Sequence, residues 1–406
     1  MEQVDTRLRR TLSFPQIVLY GLGTTIGAGI YALLGEITQV SGYFAPWAFI
    51  TAALLALLTA MSFARMVARY PRAAGAALYV EQGFKSKRLA LLVGLLVVFA
   101  GVVSSSALLN GLVGYAQDFI AWDRNTLILT SVLTIGAVVC WGINFSAWVA
   151  GLITVIEVGG LAWAVSLSSQ AALGSDVTLD VFVPASPSTT APLIFSGAVL
   201  AFYAFIGFED MVEVAEEVRD VSRVLPRAIL LTLGLSSLLY LLLVGTAVLA
   251  VGPEFLAQSS APLSDLVAKL SSVNPLVMSA IGVFAILNGA LVQLIMASRV
   301  MYGLADRKQL PKLFGCVNNT TQTPLNATLV CILFIAVIAL TGTVDQLARS
   351  TSLIILVIFT LVNIALVLDE SRQPNPSKRA QAIAALATLV CLGLASKAVT
   401  DLFGIG

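Results

Sequence analysis

The segment "GLGTTIGAGIYALLG", residues 21–35, places five glycines inside an otherwise apolar run. Each glycine in a helix interior is destabilising by roughly 0.5–1 kcal/mol relative to alanine, so their concentration here needs a reason. Gly23 and Gly27 form a small-xxx-small pair that lets helices approach closely. The same glycines also release the backbone from helical geometry and bare it to a ligand. Nucleotide binding fails as a third reading. The last glycine of "GLGTTIG" falls one place late for a G-x-G-x-x-G fingerprint, and no strand precedes it.

The surroundings of the segment set the class. The chain has 406 residues, 58% hydrophobic and only 11% charged, against about 25% charged in an average soluble domain. Apolar runs fall at about 15–41, 45–68, 90–119, 126–143, 147–169, 192–218, 227–251, 274–304, 325–342, 347–368 and 380–398. They suit helices that cross a hydrocarbon core of about 30 Å. The expectation is an all-α membrane protein of about 11 transmembrane helices, with no segment left for a sizeable soluble domain.

The net charge of +1 is spread over short loops and points to no nucleic-acid partner. The partners expected are the lipid bilayer and a small molecule; oligomeric state is not legible. Cys140, Cys316, Cys331 and Cys391 lack metal-ligand spacing and read as apolar filler. No metal and no cofactor is expected. The first 14 residues show no cleavable leader. There is no histidine, so any proton coupling falls to carboxylates, lysine, tyrosine or water.

With the N-terminus in the cytoplasm, all of the 23 Lys and Arg except Arg124, Lys269, Arg349 and Lys397 fall on the inner side. The positive-inside rule therefore favours a cytoplasmic N-terminus in the cell membrane, and an odd span count puts the C-terminus outside.

"TTIGAGIY" in the first segment has a counterpart in the sixth, "YAFIGFED" at residues 203–210. Ile26-Gly27 and Ile206-Gly207 lie five spans apart, so the two segments enter the membrane from opposite sides. Two five-helix units of opposite topology, each opening on a glycine-broken helix, point to an inverted-repeat secondary transporter. The boundaries expected are a cytoplasmic N-terminus at 1–14, a first repeat at 15–169, an external loop at 170–191, a second repeat at 192–368, and a loop with an additional helix at 369–406.

A broken helix leaves carbonyls bare on one side and amides on the other. In hydrocarbon these are tolerated only inside protein or beside a wet cavity. At the first break the carbonyls belong to Gly23, Thr24 and Thr25, and the amides to Gly27, Ala28, Gly29 and Ile30. The amides suit a carboxylate. At the sixth break the carbonyls near Phe202 to Phe205 suit an ammonium group. Together they fit a zwitterion, hence an amino acid or close relative. Phe202, Tyr203 and Phe205 read either as walls of a side-chain pocket or as core aromatics.

"GLGTTIGAGIYALLG" closely resembles the first-helix signature of the amino acid–polyamine–organocation (APC) superfamily. "FYAFIGFEDMVEVAEEVRDVSRVLPRAI", residues 202–229, resembles its sixth-helix signature. "YPRAAGAALYV" (70–80) looks like its first cytoplasmic loop, and residues 298–329 look like the loop after its eighth helix. Bacterial amino acid permeases and the cationic amino acid transporter branch look closest. The resemblance implies a LeuT-like 5+5 inverted repeat with discontinuous helices 1 and 6, and alternating access. It also implies substrate contacts at Thr25, Ile26, Gly27, Ala28, Gly29, Phe202, Ala204, Phe205 and Gly207. This chain departs in its span count, since many relatives have twelve helices, and in "ADRKQLP", where relatives often have Ala-Arg-Asp-Gly.

Two acids are candidates for proton coupling or gating. Glu157 falls about 15 Å into its span at 1.5 Å per residue, where a lone carboxylate is costly to ionise. Some relatives carry a lysine at what looks like this position. Glu157 reads as a proton site, a cation site, a partner for a cationic substrate, or a permanently neutral, hydrogen-bonded side chain. Glu209 reads as a gate or proton sensor at the amino end of an inner half-helix, or as an anchor for neighbouring amides. Glu213, Glu216 and Glu217 should continue down that helix toward Arg219, Arg223 and Arg227, while Glu36 should lie near the outer surface.

The expected function is secondary amino acid transport, with proton symport ahead of sodium coupling. Exchange of cationic amino acids or polyamines is the alternative, and a non-transporting sensor of the same fold a third. An enzyme is not expected, because neither a His-based triad nor a soluble catalytic domain is present.

Overall fold

The computed structural model describes residues 12–26, 29–72, 75–141, 146–174, 177–184, 186–215, 218–318 and 323–403. The first apolar segment is two helices, α1 (Phe14–Ile26) and α2 (Gly29–Ser41). Then follow α3 (Ala45–Arg69), α4 (Gly75–Phe84), α5 (Lys87–Gln117), α6 (Arg124–Trp141), α7 (Ser146–Leu173), α8 (Pro187–Tyr203) and α9 (Val221–Val251). The short α10 (Pro253–Ala257) and α11 (Pro262–Leu270) lead to α12 (Leu276–Asp306), α13 (Leu325–Thr341), α14 (Val344–Ser371) and α15 (Lys378–Phe403). Among the described residues, 8 stretches are long and apolar enough to cross a membrane, the first running through α1, α2 and α3; α6 and α13 contain shorter apolar helices. The chain is a multi-pass membrane protein.

Two segments differ from the sequence expectation. "YPRAAGAALYV" was expected as a loop, yet its second half opens α4, which starts at Gly75 with a φ of 38°. The sixth segment was expected to continue as an inner half-helix. Instead α8 ends at Tyr203, and after a turn residues Phe208–Val212 form a 3-10 helix. Gly207, at φ 123°, ends the helical path. In 3-10 geometry residues three apart eclipse, which aligns Phe208 with Met211; both are buried. Glu209 thus sits in a tight 3-10 turn rather than at the start of an α-helix. Glu213 follows in a turn, and Glu216 and Glu217 lie outside the described residues.

Helices α1, α2 and α8 are held by longer neighbours. Helix α1 packs on α9 and α7, α2 on α8 and α10, and α3 on α9 and α8; α12 runs along α5. Aromatic rings in edge-to-face contact lock these layers. Phe49, Phe205 and Tyr240 form one cluster, and Phe63, Tyr79, Phe202, Phe208 and Phe359 a second. Leu133, Leu152, Leu333 and Leu389 on α6, α7, α13 and α15 are exposed, as suits surfaces that face lipid.

Ion pairs close both ends. At one end Arg65 holds Glu370 through two bonds of 3.0 and 2.7 Å. Arg69 contacts Asp369 and Glu370, and the Ser377 amide donates to Glu370. The Tyr70 hydroxyl donates to Asp369. Burial, reinforced by that bond, pushes this hydroxyl up to about 12, so it stays a donor at neutral pH. At the opposite end Arg349 joins Asp345 and Asp401, and Asp401 also accepts from Lys397. Glu36 is half-buried in α2.

Candidate functional site

The two helix breaks touch. The Thr24 hydroxyl lies 3.0 Å from the Gly21 carbonyl and 3.0 Å from the Gly207 carbonyl. A Cβ on Gly207 would sit 2.2 Å from the Thr24 carbonyl oxygen. A Cβ on Gly29 would sit 2.6 Å from the Ala204 Cα. The backbones approach this closely because both positions lack side chains. Gly23 serves another contact, since its missing Cβ leaves room for Thr154 of α7.

Side chains serve the backbone groups that the breaks release. The Glu209 carboxylate accepts the Gly207 amide at 2.8 Å. The Tyr240 hydroxyl lies 3.0 Å from the Thr25 carbonyl and 3.1 Å from the Ala204 carbonyl. These are carbonyls that the sequence assigned to a ligand's ammonium group.

Beside the breaks lies a cavity of about 20 Å³, lined among others by Thr24, Thr25, Gly29, Ser104, Tyr203 and Gln293. One water needs roughly 10–15 Å³ by this measure, so the conformation is closed around the site. A second cavity of about 30 Å³ is lined by Glu209, Asp210 and Glu213, with Phe63 and Phe359. Ile206 and Gln293 line both and form the partition between them. Gln293 donates to Asp210 at 3.4 Å, and both side chains are nearly fully buried.

Glu157 is fully buried in α7. Its Oε1 accepts a long bond of 3.5 Å from Asn288 of α12, and its Oε2 has no partner. Its backbone carbonyl accepts from Tyr31 of α2 at 2.9 Å, and the Tyr31 carbonyl accepts from Tyr115 of α5. Glu157 is therefore bonded by two helices, α2 and α12, that pack around the breaks. Glu209 is instead committed to the sixth-segment turn.

Of the sequence-predicted residues, Thr25, Gly29, Ala204 and Gly207 meet at the junction of the breaks, and Ile26 is buried at the end of α1. Gly27 and Ala28 lie outside the described residues. Phe202 packs on Phe359, and Phe205 on Phe49 and Tyr240, so both belong to the ring clusters. Tyr203 faces the cavity, with its hydroxyl bonded to Ser104. Sequence reasoning passed over Tyr240, Asp210, Asn288 and Gln293. Each carried a signal: Tyr240 ends a Thr232, Ser236, Tyr240 series at four-residue spacing, Asp210 adds a second acid directly after Glu209, and the two amides interrupt an apolar helix.

Long apolar helices around two interrupted ones, with buried acids beside the interruptions, define a polytopic membrane protein with a polar centre. The family model described as "Amino acid permease" matches residues 12–400. An uncharacterized transporter of Mycobacterium tuberculosis (strain ATCC 25618 / H37Rv) is 30% identical over 376 residues, covering 91% of this chain and 83% of the relative. The vacuolar cationic amino acid transporter 2 of Arabidopsis thaliana is 28% identical over 406 residues, 91% of this chain and 62% of the relative. Cationic amino acid transporter 4 of Homo sapiens is 26% identical over 401 residues, 92% of this chain and 62% of the relative. The chain belongs to the amino acid permease family, within the APC superfamily.

Proposed function

We propose that this protein is a secondary active amino acid transporter that works by alternating access. The observation that carries the reading is the direct contact of two interrupted helices, with carbonyls of Thr25 and Ala204 beside one hydroxyl. The fold is read as a LeuT-like 5+5 inverted repeat, residues 15–169 and 192–368, with the N-terminus cytoplasmic and the C-terminus outside. Amides at the start of α2 take the carboxylate, and carbonyls at the ends of α1 and α8 take the amine. Thr25, Ile26, Gly27, Ala28, Gly29, Ala204 and Gly207 supply this centre, with Phe202 and Phe205 as its aromatic support.

Proton symport is the preferred energy source, ahead of sodium. Of the two coupling candidates Glu157 is the better placed, because Glu209 already serves the Gly207 amide while one Glu157 oxygen is unpartnered. A buried carboxyl with a free oxygen can take up and release a proton without dismantling a backbone turn. The second reading is exchange of cationic amino acids. It is favoured by the names of the relatives and by the acids Glu209, Asp210 and Glu213 around the second cavity.

Reconstitution in liposomes separates these readings. Uptake of labelled amino acid driven by an imposed pH gradient supports symport. Uptake that needs internal amino acid and ignores the gradient supports exchange. Binding without flux would overturn transport altogether and favour a sensor.

A further inference from the structure

Basic side chains at the Arg65 end of the protein fall into two groups. Arg65 is held by Glu370, and Arg69 by Asp369 and Glu370, while Arg372 donates to the Gly83 carbonyl at 2.6 Å. Lys87, Arg88, Arg307, Lys308 and Lys312 are exposed and form no ion pair among the described residues. Lys85 is also exposed and donates to Gln82. Packing gathers these six at one place. Helices α5 and α12 run antiparallel, with Gly94 against Leu304, Gly101 against Ala297 and the Ser105 hydroxyl on the Ala290 carbonyl. At 1.5 Å per residue, Lys87 and Arg307 lie roughly 10 Å and 5 Å past the Gly94–Leu304 contact, at the same end of the pair. Gly315 lies against Ala305, which returns Lys312 to the end of α12. Stretches 81–88 and 306–312 thus hold six bases against two acids, Glu81 and Asp306.

Several of these charges occupy positions that disfavour them. Lys85, at φ 55°, and Lys308, at φ 59°, are left-handed residues just past the ends of α4 and α12, where glycine is the default. Lys87 and Arg88 open α5 with no acid in its first turn, against the positive end of the helix dipole. Membrane orientation calls for basic residues at this end, but not at positions where the backbone opposes them. Arg88 also begins an apolar track. Leu92, Leu95 and Phe99 follow it on one face of α5 at helical spacing, and all three are exposed.

We propose that the joined ends of α5 and α12 form a binding site for an anionic phospholipid. Its headgroup sits among Lys85, Arg88, Lys308 and Lys312, and an acyl chain lies along Leu92, Leu95 and Phe99. The Arg88 guanidinium offers a planar fork for the phosphate, and the lysines supply point charge. A zwitterionic headgroup carries its own ammonium, which this unpaired basic patch repels. A free anion finds the charges but gains nothing from the apolar track. The site is separate from both cavities and requires no particular substrate.

The test titrates the purified full chain, in neutral detergent, with phosphatidylglycerol and phosphatidylcholine carrying the same fluorescent tail. Wild type is expected to bind phosphatidylglycerol about tenfold or more tightly than phosphatidylcholine. The double variant Lys85→Gly and Lys308→Gly removes two charges and gives both left-handed positions their favoured residue, so its melting temperature should hold or rise. Its affinity for phosphatidylglycerol should fall by about fivefold per charge, roughly twentyfold in all, with phosphatidylcholine binding unchanged. Equal wild-type affinity for the two lipids overturns the proposal, as does a double variant that keeps the wild-type preference. Inorganic phosphate in large excess should leave the bound lipid in place; displacement would make this a free-anion site and overturn the lipid assignment. Should the double variant not fold, Arg88→Gln carries the same test, with a loss of about fivefold expected and an unchanged preference overturning the site.

Discussion

Gly207→Ala puts the contact between the two breaks to a quantitative test. The φ of 123° lies where L-residues rarely go, and holding alanine in such a region costs on the order of 1–3 kcal/mol. The new Cβ would sit 2.2 Å from the Thr24 carbonyl oxygen and 2.6 Å from its carbon. Both are backbone atoms, so neither can turn aside as a side chain would. Restoring van der Waals spacing requires the breaks to part by roughly 1 Å. That movement stretches the 3.0 Å bond from Thr24 to the Gly207 carbonyl beyond bonding range and removes a further 0.5–1.5 kcal/mol, approximately. The sum, about 3 kcal/mol, corresponds to a loss of more than about a hundredfold in affinity for a ligand that needs the closed junction. Gly234→Ala is the control, because a Cβ there meets nothing within 4 Å. It should be neutral or stabilising by up to about 1 kcal/mol. Binding of radiolabelled L-arginine or L-alanine, whichever wild type takes, is measured beside thermal melting. A Gly207→Ala protein that binds within about threefold of wild type, under 0.7 kcal/mol or so, would refute the assignment of the junction as the site.

Further predictions rest on separate contacts. Glu157→Gln mimics the protonated carboxyl and should leave exchange intact while uptake ceases to respond to an imposed pH gradient; a variant that still concentrates substrate with wild-type pH dependence excludes Glu157 as the carrier. Gln293→Ala removes the polar half of the partition between the cavities, leaving Ile206, together with its bond to Asp210. It should raise the reactivity of a cysteine placed at Leu108, in a background lacking the native cysteines, toward an impermeant thiol reagent added on the Arg65 side. Unchanged reactivity would mean that Gln293 does not bar the path. Arg65→Ala and Glu370→Gln should each lower the melting temperature. Their double-mutant cycle should give a coupling of about 0.5–1 kcal/mol, discounted because the Arg65 side chain is 40% exposed; a coupling near zero means that the pair does not brace that end.

The sequence revealed the junction because glycine marks backbone approach directly. Gly29 and Gly207 are needed where two main chains touch, and no other residue type fits. Repetition of Ile-Gly in the first and sixth segments located both halves. The facing of side chains was less legible. Phe202 and Phe205 flank Tyr203, and only the turn at residues 204–207 decides that Tyr203 meets the cavity while its neighbours enter ring clusters. The partners of the released backbone were hidden for a related reason. Tyr240, Asn288 and Gln293 come from α9 and α12, whose rotation is set by packing over the whole bundle. The 3-10 turn at Phe208–Val212 was missed because an acidic, apolar-spaced stretch reads equally well as an α-helix.

The hydrogen bonds at the junction also constrain how a transport cycle can run. Thr24 to Gly207, and Tyr240 to Thr25 and Ala204, all join a side chain to a released backbone group. Drawing α9 away from the junction without a ligand would strip these carbonyls in a dry interior, where an unpaired polar group costs roughly 1–3 kcal/mol. An amino acid supplies what is lost: its ammonium donates to the carbonyls and its carboxylate accepts from the α2 amides. The empty carrier is thereby penalised for leaving the closed state unless a cavity fills with water, and the substrate removes that penalty. Such a carrier would favour exchange wherever reopening without substrate is slow. A proton on Glu157, which makes none of these bonds, can act in two ways: through the packing of α2 and α12 against α7, and through its charge on Tyr240, which lies within electrostatic reach. Energetic coupling would accordingly be sensitive to Asn288, Tyr31 and Tyr240, and substrate affinity to Gly207.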